Sequence, residues 1–328
     1  MTPPVPVPGQ FRRGTVLRAA GLILIGSAGI QISSALSATL FAAHGPFAVS
    51  SLRMVIAALV LLAVFRPSLR GRGRAEWTGI VVYGAAMAAM NLCLYAAIDR
   101  IPLGIAVTLD FLGPCAVALL ASHRIREGLC AVLSLAGVAL MSIGPWGYFD
   151  ALGYLAGLGA AAAFGLYTVC AHRVGTQSEG LGGLALSVAA AALFSLPFGA
   201  GRVAQVPPAD WGLLAVSALV GVVVPYSVDT IAGRITSPRI IGTLFAIDPA
   251  MGTLVGFLML GQQITPLSLL GVLVVAAGGA LLVWSSGGGA ADQSDADGAE
   301  DADSAASRRA ASRSTSSRLQ KAKRSQEP

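Results

Sequence analysis

Apolar runs of 19 to 26 residues follow one another along most of the chain, separated by short breaks rich in Gly, Pro and Arg. A run of about 20 apolar residues matches the roughly 30 Å hydrocarbon core of a bilayer at 1.5 Å per helical residue. Ten helical spans are predicted, at about 17–42, 47–65, 77–98, 103–122, 128–146, 151–172, 182–200, 211–233, 240–260 and 265–285. The breaks leave no room for a soluble catalytic domain. Ala35-Leu36-Ser37-Ala38 resembles a signal-peptide cleavage site, but the run from Val16 to about Ala42 is longer than a signal peptide's apolar core.

Composition agrees with a polytopic membrane protein. The 328 residues are 55% hydrophobic and 12% charged, roughly half the charge of a soluble domain, and mean hydropathy is +0.73. The net charge of +6 does not point to nucleic acid, because the basic residues sit mainly in short loops. With the N-terminus in the cytoplasm, the inner segments carry Arg12, Arg13, Arg18, Arg66, Arg70, Arg72, Arg74, Arg124, Arg126, Arg173, Arg234 and Arg239. The outer side carries Arg100 and Arg202, with Arg53 near the outer end of the second span. Positive charge accumulates on the inside, so both termini are expected in the cytoplasm of a bacterial plasma-membrane protein. Residues 286–328 open on Gly287-Gly288-Gly289, continue as a Ser/Ala/Asp tract and end in a basic block. They read as a disordered, solubilising cytoplasmic tail.

Several chemistries have no sequence support. There is no GxxxxGK[ST] phosphate loop, so no ATP-driven step is expected within this chain. No Ser-His-Asp grouping or metal-ligand spacing suggests an enzyme or a metal site, and no cofactor is expected. Cys93, Cys115, Cys130 and Cys170 fall inside apolar spans without a CxxC spacing and read as packing residues.

Three aspartates interrupt the apolar spans, each within four residues of a proline: Asp110 with Pro114, Asp229 with Pro225, and Asp248 with Pro249. An ionisable residue in lipid costs a few kcal/mol and marks a candidate functional site. A proline beside it leaves a backbone carbonyl without its helical donor, and all three prolines are read as helix breaks. Asp110 lies seven residues into its span, roughly 11 Å from the outer end, and Asp248 is also near mid-membrane. Asp229 is five residues before Arg234, near enough to the cytoplasmic rim for a gating or structural ion pair. Burial disfavours a carboxyl's charged form, so a membrane aspartate suits the uptake and release of a proton.

An internal repeat orders these residues. Thr108-Leu109 precedes Pro114, and Thr243-Leu244 precedes Pro249, at the same spacing and an offset of 135 residues. A five-span unit repeated in tandem inserts its second copy upside down, an arrangement common in secondary transporters. The expected fold is an all-α membrane protein with ten transmembrane helices in two inverted five-helix repeats. The expected divisions are a cytoplasmic segment (1–15), a first repeat (16–146), a second repeat (151–285) and the tail (286–328).

Further polar candidates are Gln31, Ser33 and Ser34 in the first span, Arg53 in the second, Asn91 and Tyr95 in the third, and Thr108 beside Asp110. Asn91 and Tyr95 are one turn apart and share a face; they either line a cavity or bond to a neighbouring helix. Arg53 either snorkels to the outer interface or holds a carboxylate through a bidentate contact. Gly153-x-x-x-Gly157 is a close-packing motif, read as internal packing rather than a dimer seam. A homodimer stays open.

The run Asn91-Leu-Cys-Leu-Tyr95, followed by Pro102-Leu-Gly-Ile-Ala-Val-Thr-Leu-Asp110-Phe-Leu-Gly-Pro-Cys-Ala-Val-Ala-Leu119, resembles the bacterial threonine/homoserine exporters. These belong to the EamA-type branch of the drug/metabolite transporter superfamily. A second block agrees: Pro225-Tyr-Ser-Val-Asp229, Gly242-Thr-Leu244, Asp248-Pro-Ala250 and Thr265-Pro266. The similarity spans roughly residues 16–285. It implies two inverted five-span halves around a central cavity and export of small hydrophilic metabolites in exchange for protons. The three acidic positions fall where the exporters carry Glu; Asp keeps the carboxyl and shortens its reach by one methylene. Gln262 stands where the wider family often has Glu.

The expectation is therefore a secondary exporter of amino acids such as threonine or homoserine, working with protons by alternating access in the lipid bilayer. Its cavity would be lined by spans 1, 3, 4, 6, 8 and 9, with Asp110 and Asp248 exchanging the proton. The alternatives are another cargo on the same fold, an organic cation or nucleotide-linked sugar, or a non-transporting membrane scaffold.

Overall fold

The computed structural model describes residues 13–120, 133, 136, 137, 140, 150–177, 181–235, 247–278, 280 and 281. All described residues are helical or in connections. The N-terminal segment, most of the expected span 128–146, Cys130, Pro238, Arg239, Thr243-Leu244 and the tail lie outside them, as does the side chain of Arg234.

Among the described residues nine principal helices follow in chain order: α1 (Arg13–Ala38), α2 (Pro46–Phe65), α3 (Arg74–Ile98), α4 (Leu103–Leu120), α5 (Ala151–Gln177), α6 (Gly182–Gly199), α7, α8 (Asp248–Leu260) and α9 (Pro266–Gly278). α7 is composite, running through Pro208–Ala218, a π-turn at Leu219–Val223 and Val224–Ile235. Among the described residues, six helical stretches are long and apolar enough to cross a membrane: Gly21–Ala38, Pro46–Phe65, Arg74–Ile98, Ala151–Cys170, Gly182–Gln205 and Pro208–Asp229. The segments Leu103–Val117, Asp248–Leu260 and Pro266–Gly278 are shorter apolar helices.

Proline and glycine set the boundaries. Pro46, Pro208 and Pro249 occupy the first turns of α2, α7 and α8, where the missing N–H has no helical acceptor to serve. Gly261 ends α8 at φ +62°, its N–H bonded to the Gly256 carbonyl, a left-handed cap that glycine adopts without Cβ strain. The first span stops at Ala38 rather than about 42, with Leu40 N–H bonding the Ser37 carbonyl at 3.0 Å before a short helical turn at Phe41–His44.

The helix-break reading needs correction at Pro114 and Pro225. α4 continues through Pro114, since a single proline removes one ladder bond and leaves the rest. α7 continues through Pro225 by widening into the π-turn immediately before it, Val224 N–H reaching the Leu219 carbonyl; such insertions absorb a disturbed ladder without ending the helix. Pro249 starts a helix.

Helices close in sequence are not always the closest in space. α3 packs on α5 and α6, α2 on α6 and α7, α4 on α5 and α8, and α1 on α7 and α8. Small residues allow several of these crossings. A Cβ on Gly84 of α3 would lie 2.6 Å from both the Ala190 Cβ and the Ser187 carbonyl of α6. Gly153 abuts Ile101 and Arg100, and Gly157 abuts Leu109 of α4, so the GxxxG motif is used within the chain. Large apolar side chains such as Ile25, Leu59, Leu155 and Leu193 point outward and stay exposed, as a lipid-facing surface requires.

Gln262, in the α8–α9 connection, caps α4: its Oε1 accepts the Leu103 N–H at 3.0 Å. The first N–H groups of a helix lack helical acceptors. Gln262→Ala is expected to destabilise the protein by about 0.5–2 kcal/mol. Gln262→Glu, which keeps the acceptor and adds a negative charge at a helix N-terminus, should match or exceed the parent in thermal denaturation in detergent.

Candidate functional site

Two apolar clusters stack along the helices, with polar residues between them. On α3 one cluster takes Leu94, Tyr95, Ala97 and Ile98 and the other Tyr83, Met87 and Ala88. On α2 the division falls between Leu52 and Met54, leaving Arg53 at the junction. Here a cavity opens among α1, α2, α3, α4, α5, α7 and α8.

Asp110, Asp229 and Asp248 all line this cavity, brought together from α4, α7 and α8. Asp248 accepts a hydrogen bond from the Ser27 hydroxyl of α1. Asp110 is 7% exposed and its Oδ1 has no hydrogen-bond partner. Asp229 packs against Gly26 of α1, where a Cβ would lie 3.5 Å from its Oδ1. The pairing expected between Asp229 and Arg234 falls on a side chain outside the described residues, and what the structure gives for Asp229 is its place on the cavity wall. It belongs to the cavity, because α7 lies along α1 and the glycine there admits the carboxyl.

Arg53 is corrected in the opposite direction from snorkelling. It is 3% exposed and lines the cavity. Its Nη1 donates to Ser33 Oγ at 2.9 Å and its Nη2 to Asn91 Oδ1 at 2.6 Å. The guanidinium lies over the Tyr95 ring, 4.6 Å from the centroid, a cation–π contact. Arg53 Nε has no partner, and no ion pair to Arg53 occurs among the described residues. A buried cation held by neutral groups beside three carboxyls is unusual, since buried charges are ordinarily paired.

A serine network supports the arginine. Ser33 Oγ donates to the Ser217 carbonyl at 2.7 Å, Ser37 Oγ lies 2.6 Å from Ser217 Oγ, and the Tyr95 hydroxyl donates to Ser37 Oγ at 3.0 Å. The π-turn of α7 makes room for it. Gly221 abuts Ser33 and Arg53, and Val220's carbonyl approaches Gly29 of α1.

The remaining expected residues divide. Gln31 and Ser34 line the cavity, with Gln31 Oε1 buried and unpartnered. Asn91 and Tyr95 share the cavity face as their spacing predicts. Ser33 faces Arg53 and Ser217. Thr108 does not line the cavity; it is fully buried, and its hydroxyl donates back to the Gly104 carbonyl at 2.6 Å, a local bond available to any helical threonine. The expected lining omitted the second span, which supplies Arg53. It also omitted the aromatic wall of Phe111, Phe164, Tyr167 and Tyr226, and the expected residues did not include Ser27, which bonds Asp248, or Ser217, which bonds Ser33. Part of this was legible: Ser27, Gln31 and Ser34 recur at i, i+4 and i+7, and Gly29, Ser33 and Ser37 at i, i+4 and i+8, two stripes on adjacent faces of α1. The aromatic wall carried no such signal.

Comparison with known proteins places this arrangement. The EamA-like transporter family profile matches residues 151–284. The threonine/homoserine exporter RhtA of Escherichia coli (strain K12) is 31% identical over 283 residues, covering 84% of this chain and 95% of that protein. The exporter of the same name from Salmonella typhimurium (strain SL1344) is 30% identical over 276 residues, covering 83% and 93%. A crystal structure of a protein at 19% identity superposes with a TM-score of 0.54 over 83% of this chain and 98% of that one, a likeness of fold alone. The two exporters are transporters, not enzymes, and the chain is a multi-pass membrane protein, helical in the secondary structure of its described residues, that belongs to the EamA-like transporter family, on the side of its threonine/homoserine exporter relatives.

Proposed function

We propose that this protein is a secondary active exporter of small hydrophilic metabolites, amino acids such as threonine and homoserine, moved out of a bacterial cytoplasm by proton antiport. The observation that carries the reading is the convergence of Asp110, Asp229, Asp248 and Arg53 on one buried cavity. Groups of both signs can hold a small polar solute, and carboxyls in an apolar surround can exchange a proton with it. The names of the relatives favour the amino-acid cargo.

The proposed cycle is alternating access between two inverted halves, each of five spans, with both termini cytoplasmic. Packing supports that symmetry. If α1 to α4 correspond to α5 to α8, the α3·α5 contact has its counterpart in α7·α1, α4·α5 in α8·α1, and α3·α6 in α7·α2. The α2·α6 and α4·α8 contacts are their own counterparts. Gly137 of the fifth span lies against Gly271 and Val275 of α9, again a self-paired contact. In this orientation the His44–Asp210 pair at 2.7 Å and the Arg100–Asp150 pair at 3.3 Å join the halves at their outer ends. Both pairs would separate as the cavity opens outward.

Proteoliposomes test the proposal. Labelled threonine and homoserine should move against their gradients when a pH gradient is imposed and should stop when it is collapsed. Absence of gradient-dependent flux for every amino acid tried would eliminate this cargo class. The aromatic wall favours a second reading, an organic cation stacked on Phe164, Tyr167 and Tyr226 near the carboxyls. The buried Arg53 charge opposes it. Stronger competition by tetraphenylphosphonium than by threonine would support the cation.

A further inference from the structure

The unsatisfied polar atoms of the cavity come in complementary kinds. Arg53 Nε is a donor without an acceptor, whereas Asp110 Oδ1 and Gln31 Oε1 are acceptors without a donor. All three residues line the same cavity and are at least nine-tenths buried, at 3%, 7% and 1% exposure. Buried polar groups are normally paired, so several orphans on residues lining one cavity mark where a ligand's own polar groups belong.

The arginine is oriented for the task. Its two recorded bonds, to Ser33 and Asn91, use two of its five N–H donors, and Tyr95 fixes the plane from one face. The Nε edge is left for a planar anion, the geometry a carboxylate matches with two parallel bonds. The carboxyls differ in availability. Asp248 already holds the Ser27 hydroxyl, while an oxygen of Asp110 is uncommitted. Gln31, near Gly252 of α8, offers a neutral acceptor in the same cavity.

We infer that the cavity is a dipolar clamp for a zwitterion, with the substrate carboxylate on the free edge of Arg53 and its ammonium on Asp110 and Gln31. This deepens the amino-acid exporter reading and rests on it. The clamp selects against molecules bearing only one of the two groups, because the unmatched end leaves a buried charged group unpaired. A site built to hydrogen-bond a group rejects analogues lacking it far more strongly than a site that loses only apolar contact.

The test is inhibition of labelled L-threonine exchange in proteoliposomes by L-threonine, L-threoninol, which lacks the carboxylate, and 3-hydroxybutyrate, which lacks the ammonium. In the parent protein both analogues should inhibit at least about tenfold more weakly than threonine. Arg53→Gln should bring threoninol to within about threefold of threonine while 3-hydroxybutyrate stays excluded; Asp110→Asn should weaken the exclusion of 3-hydroxybutyrate instead. A general structural loss would not produce these opposite shifts. If either variant fails to fold or to exchange threonine, the parent's analogue series decides. Equal inhibition by threoninol and threonine in the parent overturns the clamp and leaves the exporter reading standing. Absence of amino-acid exchange by the parent removes both.

Discussion

Asp110→Asn is expected to bring pH-gradient-driven threonine flux down to that of protein-free liposomes, a loss of at least about 100-fold, or ~2.7 kcal/mol. The substitution keeps the shape of a side chain that is 7% exposed inside α4, so the fold should survive it. What disappears is the ability to take up a proton and to neutralise a cationic group. Asp110 is the best placed of the three carboxyls for this role, because its Oδ1 is buried without a partner while Asp248 is engaged by Ser27. Asp248→Asn should therefore give a smaller loss, since an amide oxygen can still accept from the Ser27 hydroxyl. Counterflow of labelled homoserine without a pH gradient separates the two roles: loss of driven flux with residual counterflow identifies the proton carrier. Undiminished driven flux in Asp110→Asn would remove this residue from the coupling mechanism.

The second large effect concerns the scaffold. Gly113 of α4 faces α5 so closely that a Cβ would collide with the Ala161 carbonyl and lie 2.8 Å from the Gly165 nitrogen. The obstacles are backbone atoms of a neighbouring helix, which cannot turn aside as a flexible side chain would. Gly165 returns the same closeness, with a Cβ there reaching the Gly113 carbonyl at 3.3 Å. Without a hydrophobic driving force between helices in lipid, such close backbone approach is a main source of association. Gly113→Val should cost at least the ~1–3 kcal/mol typical of overpacking, and α4, which carries Asp110, should shift with it. Thermal denaturation in detergent should show a clear fall in the midpoint, or no monodisperse protein. Gly212→Ala is the control: apart from the local backbone of its own helix, no heavy atom lies within 4 Å of its Cβ position, and alanine's helix propensity should add up to about 1 kcal/mol. Equal midpoints for Gly113→Val and the parent would refute the tight crossing.

Arg53 shows where one-dimensional reading stops. Seven residues from Pro46, at the start of α2, it had two physically sound outcomes, snorkelling outward or facing a cavity. The choice was made by Ser33 of α1 and Asn91 of α3, which receive two of its N–H groups inside the protein. Asp229 is the same lesson in reverse. Its distance along the helix to Arg234 could be counted from the chain, whereas the contact with Gly26 on α1 that admits its carboxyl to the cavity could not. Thr108 looked functional through its place beside Asp110, and one helical turn was enough to satisfy its hydroxyl. By contrast, Asn91 and Tyr95 needed only helical periodicity to be assigned a common face.

The sequence by itself determined that this chain is a set of apolar helices with a few polar residues inside their spans, and where several helices start. Those features follow from local physics: the bilayer demands long apolar stretches with internally bonded backbones, and proline and glycine act on their own turns. Only the tertiary structure decided that Asp110, Asp229, Asp248 and Arg53 meet in one cavity, and that Pro225 widens a helix instead of ending it. The reason is that periodicity assigns a residue to a face but not to a neighbour. In helices apolar nearly all round, the crossings set by Gly26, Gly29, Gly113 and Gly221 determine which polar groups meet.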